Sequence, residues 1–199
     1  MRSNSAALQE GKDTLEVVWH GRGGQGAVTA ARMVGQALIA AGKYVQTFPE
    51  YGPERRGAPI KAYIRLADGP IRFRGPVRHP AIILVLDPTL LSIVDVLDGT
   101  NPEAILIANN TVSPAELRRS LEVEGRHIYT IDATAIAMEV LGRNMPNTVM
   151  LGALTRTTGL VTIEELGEQV RGALGGGGSE MTQRNLEALH RGYEEVRGE

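Results

Sequence analysis

The chain has 199 residues, enough for one α/β domain with a terminal extension, and its 42% apolar content supports a real core. With only 4% aromatic residues that core must be made of Ala, Val, Ile and Leu, and a formal charge of −2 argues against a nucleic-acid binder, which shows a basic excess or face. There is no cysteine, which excludes disulfides, thiol catalysis and thiolate ligation of an iron–sulfur cluster by this chain. No apolar run is long enough to span a membrane. Met1 to Asp13 is polar and lacks the apolar core of a signal peptide, so it reads as a flexible tail on a cytoplasmic protein.

The first element is a strand over Leu15 to His20. The glycine-rich turn Gly21-Arg22-Gly23-Gly24-Gln25-Gly26 follows, and then a helix from Ala27 that Gly42 stops. Strand, glycine turn and helix open a Rossmann-like unit. In it Gly21 takes the tight turn, Gly23 admits close backbone approach and Gly26 lets the helix pack on the strand. The amide groups at the start of that helix lack intrahelical partners and lie at its positive end, where an anion is favoured, with Arg22 beside them as a positive charge. The same glycines also suit a corner that merely packs.

Lys43 to Phe48 reads as a second strand reached by a right-handed crossover. A dinucleotide-binding fold would carry an acidic residue at its end. The candidate, Glu50, is separated from the strand by Pro49, which weakens a nicotinamide reading. The loop Pro49 to Pro59 then concentrates Glu50, Tyr51, Glu54, Arg55 and Arg56 between prolines and glycines that fix its course. It is either a functional loop or a solvated one whose charges pair with each other.

Ile60 to Leu66 alternates apolar with polar as a half-buried strand does, and Asp68-Gly69 predicts a hairpin into Ile71-Arg72-Phe73. Ala81 to Leu86 and Ala104 to Ala108 are apolar throughout, as strands covered on both faces are. Asp87-Pro88 opens a helix through Leu97, with Asp87 read as its cap rather than an active-site acid. Ser113-Pro114-Ala115-Glu116 is a capping box, His127 to Ile131 a strand, and Asp132 caps the helix after it. Asn147 to Leu160 is a further helix, in which Gly152 marks the close approach of another backbone. Thr162 and Glu165 start the next one. The run Gly175 to Ser179 has the composition of a flexible linker, and Glu180 to Val196 carries an apolar stripe of Leu186, Leu189, Tyr193 and Val196.

The expected architecture is therefore α/β, a Rossmann-like, mostly parallel sheet with flanking helices, a hairpin insertion and a C-terminal helix. Its parts are a tail over 1–13, the domain over 14–174, a glycine-rich linker over 175–179 and a helix over 180–199 that docks on the same domain or on a partner. The four histidines are dispersed, and neither a nucleophile elbow nor a Walker-type lysine is present. No catalytic residue and no metal ligand is assigned.

The glycine loop, the Tyr51-Gly52-Pro53-Glu54-Arg55-Arg56-Gly57 loop, Asp132-Ala133-Thr134 and Asn147-Thr148-Val149-Met150-Leu151-Gly152-Ala153 occur in this order. With the terminal Asn185 to Tyr193 helix they resemble the gamma subunit, or fused gamma domain, of 2-oxoacid:ferredoxin oxidoreductases of the pyruvate synthase type. The resemblance implies a chain with no catalytic centre of its own, working with alpha and beta subunits that hold thiamin diphosphate and with an iron–sulfur delta-type subunit. Ferredoxin or another acceptor takes the electrons. It implies no cofactor bound by this chain alone, and makes Gly21, Arg22, Gly23, Gly24, Gln25 and Gly26 candidates for the coenzyme A side. Tyr51, Glu54, Arg55 and Arg56 are the candidates for the partner interface. The run Gly175 to Gly178, and two arginines where one is expected, depart from the family pattern. Two other readings stay open: a free-standing NAD(P)-dependent oxidoreductase built on the same loop, and a pure interaction module.

Overall fold

A computed structural model describes residues 14–51, 57–72, 74–176 and 178–199. Seven strands form one sheet in the order β2-β3-β1-β4-β5-β6-β7. These are β1 (Leu15–Arg22), β2 (Tyr44–Tyr51), β3 (Pro59–Ala67), β4 (Ile82–Val85), β5 (Ile105–Asn109), β6 (His127–Ile131) and β7 (Arg197–Gly198). The four central strands β1, β4, β5 and β6 run parallel. β4 and β5 are buried almost throughout, which is why the continuous apolar runs at Ile82 and Leu106 carry no alternation.

Helix α1 (Ala27–Ala40) connects β1 to β2, which is parallel to β1 but one place removed, because β3 lies antiparallel between them. The hairpin is therefore β2–β3, one step earlier than Asp68-Gly69 suggested. Ile71 and Arg72 are not in a strand, and Phe73 lies outside the described residues. β2 is an edge strand. That is how Pro49, which has no N–H to give, sits inside it and extends it to Tyr51.

The sheet has two apolar faces. Val17, Trp19, Leu84 and Ile107 point toward α1, α3 (Ala133–Leu141), α4 (Asn147–Thr158), α5 (Ile163–Ala173) and α6 (Glu180–Glu195). Val18, Ile83, Val85 and Leu106 point the other way, toward α2 (Pro114–Leu121) and the segment carrying Leu90 and Val96. Burying each such Val, Leu or Ile contributes about 1.5–3 kcal/mol, so the two layers carry the stability of the domain.

The caps follow the sequence closely. Ser113 with Glu116 and Thr162 with Glu165 form full capping boxes, and Asp132 accepts from the Ala135 amide. After Asp87 the chain makes only a short 3-10 turn, Pro88–Ser92, instead of a helix through Leu97. Asp87 still caps it by accepting from the Thr89 amide.

One feature of β3 differs from simple alternation. Arg65, on its polar side, is 1% exposed. Its guanidinium bonds Glu16 at 2.6 and 2.8 Å and the Gly75 carbonyl at 3.1 Å, and lies over the Phe48 ring. A charge can be buried only when paired and hydrogen-bonded in this way.

Helix α6 crosses α4 backbone to backbone. A Cβ at Gly152 would overlap the Leu189 carbonyl oxygen, and one at Gly192 would overlap that of Val149. The close approach expected at Gly152 is thus present, and its partner is α6. The Thr148 hydroxyl donates to the Asn185 side chain at 3.1 Å, a buried bond in the same crossing.

Candidate functional site: the glycine corner

The loop Gly21 to Gly26 lies at the carboxyl ends of β1 and β4. α1 leaves β1 over one face of the sheet, whereas the chain after β4 crosses over the other. Such a switch point leaves a crevice, the usual ligand position in open α/β sheets.

Side chains of the loop fill much of that crevice. Arg22 Nε pairs with Asp87 Oδ2 at 3.2 Å, Nη2 donates to the Thr89 hydroxyl at 2.8 Å and Nη1 to the Gly57 carbonyl at 3.0 Å. Gln25 folds back on the loop: its Oε1 accepts the Arg22 amide and its Nε2 donates to Asp87 Oδ2, both at 2.8 Å. Burial works to raise the Asp87 carboxyl, but bonds from Thr89 and Gln25 and the Arg22 charge outweigh it and hold Asp87 below the usual carboxylate range. Arg22 is therefore not the free positive charge that its place in the sequence suggested. It is committed to Asp87, a partner that the reading of Asp87 as a cap did not reveal.

The six loop residues divide by role. Gly21 is buried, and a Cβ there would lie 3.2 Å from that of Ala27. Gly26 has φ 81° and caps α1 with no side-chain bond. A Cβ there would lie 2.7 Å from the Asn147 side chain. Gly26 thus admits α4, not only the packing of α1 on β1. Gly23 and Gly24 form the exposed apex. The Gly23 amide donates to the Ala58 carbonyl at 3.2 Å, and no described residue lies within 4 Å of a Cβ at Gly24, whose φ is 100°.

The second loop meets the first here, through Gly57 and Ala58. Tyr51 ends β2, while Glu54, Arg55 and Arg56 lie outside the described residues. Glu50 accepts the Tyr63 hydroxyl at 2.6 Å, so this carboxylate is already engaged. Next to the corner, Asn109 Nδ2 joins the Leu86 carbonyl to the Thr134 hydroxyl at 2.7 and 2.8 Å, tying the end of β5 to the start of α3. Asn109 and Asn147 had no role assigned from sequence. Their signal was faint, an asparagine at a strand end and one at a helix start.

Residues 16–195 match the family model described as pyruvate ferredoxin/flavodoxin oxidoreductase. The chain belongs to this family. It is 43% identical over 182 residues to the pyruvate/ketoisovalerate oxidoreductases common subunit gamma of Pyrococcus furiosus, covering 92% of this chain and 97% of that one. The crystal structure of pyruvate oxidoreductase subunit PORC from Thermotoga maritima is 38% identical, with a TM-score of 0.82 over 94% of this chain and 99% of that chain. A 2-oxoglutarate:ferredoxin oxidoreductase from Magnetococcus marinus, with 2-oxoglutarate, coenzyme A and succinyl-CoA bound, shares the fold at 22% identity. Its TM-score is 0.73, over 92% of this chain and 31% of that much longer one. The motifs that carried the resemblance prove to be packing keystones: Gly26 on Asn147, Thr134 on Asn109, and Gly152 on α6.

Among the described residues no group of three or more His, Asp or Glu side chains is placed to hold a metal ion, and no helix is long and apolar enough to cross a membrane.

Proposed function

We propose that the chain is the gamma component of a cytoplasmic, multi-chain 2-oxoacid oxidoreductase. It carries no catalytic centre and presents the apex of its glycine loop to the acyl-CoA side. Thiamin diphosphate sits on companion alpha and beta chains. The clusters that pass electrons to ferredoxin or another acceptor sit on chains with thiolate ligands, because this one has no cysteine to offer. The observation that carries the coenzyme A reading is the outward apex at the switch point. Gly23 and Gly24 are exposed, and α1 behind them has no side-chain cap on its first amides. A helix start attracts an anion by only about 0.3–1 kcal/mol at an exposed site, so coenzyme A should bind the assembled enzyme well and the isolated chain poorly.

The test is Gly23→Val in the assembled enzyme. Among the described residues a Cβ at Gly23 meets only the Gly57 amide nitrogen, at 3.7 Å, so the variant keeps its fold while a branched side chain occupies the approach. The apparent Michaelis constant for coenzyme A should rise while that for the 2-oxoacid stays put. An unchanged coenzyme A constant in a correctly assembled variant would leave the loop a packing corner. That outcome would favour the interaction-module reading, which draws on Arg22 and Gln25 being spent inside the protein.

A further inference from the structure

On the sheet face away from α1, a cleft of about 330 Å³ opens beside β1 and β3. One wall is the sheet, with His20 and Lys61 paired in register across β1 and β3. The others are two chain segments, one carrying Arg78 and the other Asp95 and Asp98. The segments are locked to each other. His79 Nδ1 and the Gly99 carbonyl lie 3.0 Å apart, and Gly99, at φ 72°, leaves no room for a Cβ beside the Arg78 carbonyl. The cleft is thus built on fixed elements.

Its polar groups are unspent. His20 is 4% exposed, yet among the described residues neither ring nitrogen has a hydrogen-bond partner. The residue lines the cleft, so its ring nitrogens are open to a donor or an acceptor of a bound molecule. Lys61 and Arg78 make no ion pair among the described residues, and neither does Asp98. Asp95 accepts the Leu97 amide with one oxygen, which leaves the other available.

We propose that this cleft binds a small carboxylic acid that also bears a hydroxyl or ammonium group. The carboxylate lies against Lys61, Arg78 and the His20 imidazole, and the hydroxyl or ammonium donates toward Asp95 and Asp98. A lone anion would face two carboxylates and a lone amine two cations, so the cleft favours a ligand with both kinds of group. Its volume is at the lower end for small-molecule pockets and holds such a ligand with room for larger members of the same class. Nothing in the glycine corner takes part, so this site stands or falls apart from the coenzyme A reading.

The test follows the His20 ring resonances of the labelled full chain by NMR at neutral pH, with free glycine, glycolate and acetate added separately to millimolar levels. Glycine or glycolate should give a saturable shift, with acetate weaker by about tenfold, about 1.4 kcal/mol. Lys61→Gln and Asp95→Asn should each weaken the binding by a similar factor. The second variant keeps an oxygen for the Leu97 amide, so it preserves the fold even if the first does not. No saturable shift with either donor-bearing acid, acetate binding as tightly as they do, or an undiminished shift in folded Asp95→Asn would each overturn the proposal.

Discussion

Replacing Gly152 by Ala tests the contact that holds α6 on the domain. An added methyl group would overlap the Leu189 carbonyl oxygen and lie 2.6 Å from the Tyr193 amide nitrogen. Both obstacles are backbone, so no rotamer change relieves them and the two helices must separate. The residues around the crossing, Val149, Met150, Ala188 and Leu189, are all 0% exposed, and a gap there loses close packing on both sides. Overpacking of this kind costs about 1–3 kcal/mol, and a rigid obstruction belongs at the top of that range. Ala gains about 1 kcal/mol over Gly in a helix interior, which leaves a net loss of about 2 kcal/mol. For a domain of this size that lowers Tm by about 4–8 °C. Urea denaturation of the full chain should give a lower midpoint at an unchanged slope. Gly172→Ala is the control. Gly172 lies in α5 with no described residue within 4 Å of a Cβ, so the same substitution should stabilise by up to about 1 kcal/mol. If Gly152→Ala proves as stable as the parent, the crossing is looser than described and the reasoning fails.

Gly23→Val, described above, should raise the coenzyme A constant alone. The double substitution Arg55→Ala, Arg56→Ala should weaken assembly with companion chains, as read by co-purification, because arginine's planar fork is suited to carboxylates at interfaces. Its stability should stay within about 1 kcal/mol of the parent, and a much earlier melt would make the loop structural instead. Burial, then Lys61, lowers His20 to about 4 against a partial opposing effect of Asp95. The folded value lies below the unfolded 6.5, so the neutral ring contributes stability that is present above pH 6.5 and lost as pH falls toward 4. That amounts to about 3 kcal/mol, and His20→Gln should remove this part of the slope in denaturation midpoints measured across the window.

The fold was legible wherever local chemistry decides it. Capping boxes at Ser113 and Thr162, the cap at Asp132 and the apolar strands at Ile82 and Leu106 are set by residues within a few positions of each other. Errors arose where a distant partner decides. Asp68-Gly69 has good turn chemistry, but β3 pairs instead with β2 and β1, and the chain beyond Gly69 runs out to hold Arg65 through the Gly75 carbonyl. Arg65 itself reads as an exposed member of an alternating strand until Glu16, on the neighbouring strand, neutralises it. Pro49 ends a strand in most contexts, and only an edge position makes it harmless. At the glycine corner the residues were legible but not their partners. Arg22 and Asp87 are far apart in sequence, and a short carboxylate before a proline suits a cap equally well.

That pairing bears on which chemistry the corner can serve. A free-standing dinucleotide enzyme needs an open crevice at the switch point and an uncommitted acid at the end of the second strand for the ribose. Here the crevice holds Arg22, Gln25 and Asp87 bonded to one another, and Glu50 is bonded to Tyr63 on the sheet face. Breaking the Arg22–Asp87 pair to admit a pyrophosphate would strand a largely buried carboxylate beside a second anion, an arrangement that low-dielectric surroundings penalise. The outward apex carries no such penalty, because Gly23 and Gly24 expose backbone without displacing any side chain. A ligand that touches only the apex gains too little to be held by this chain alone. It must take most of its binding from elsewhere, as the proposed coenzyme A role requires.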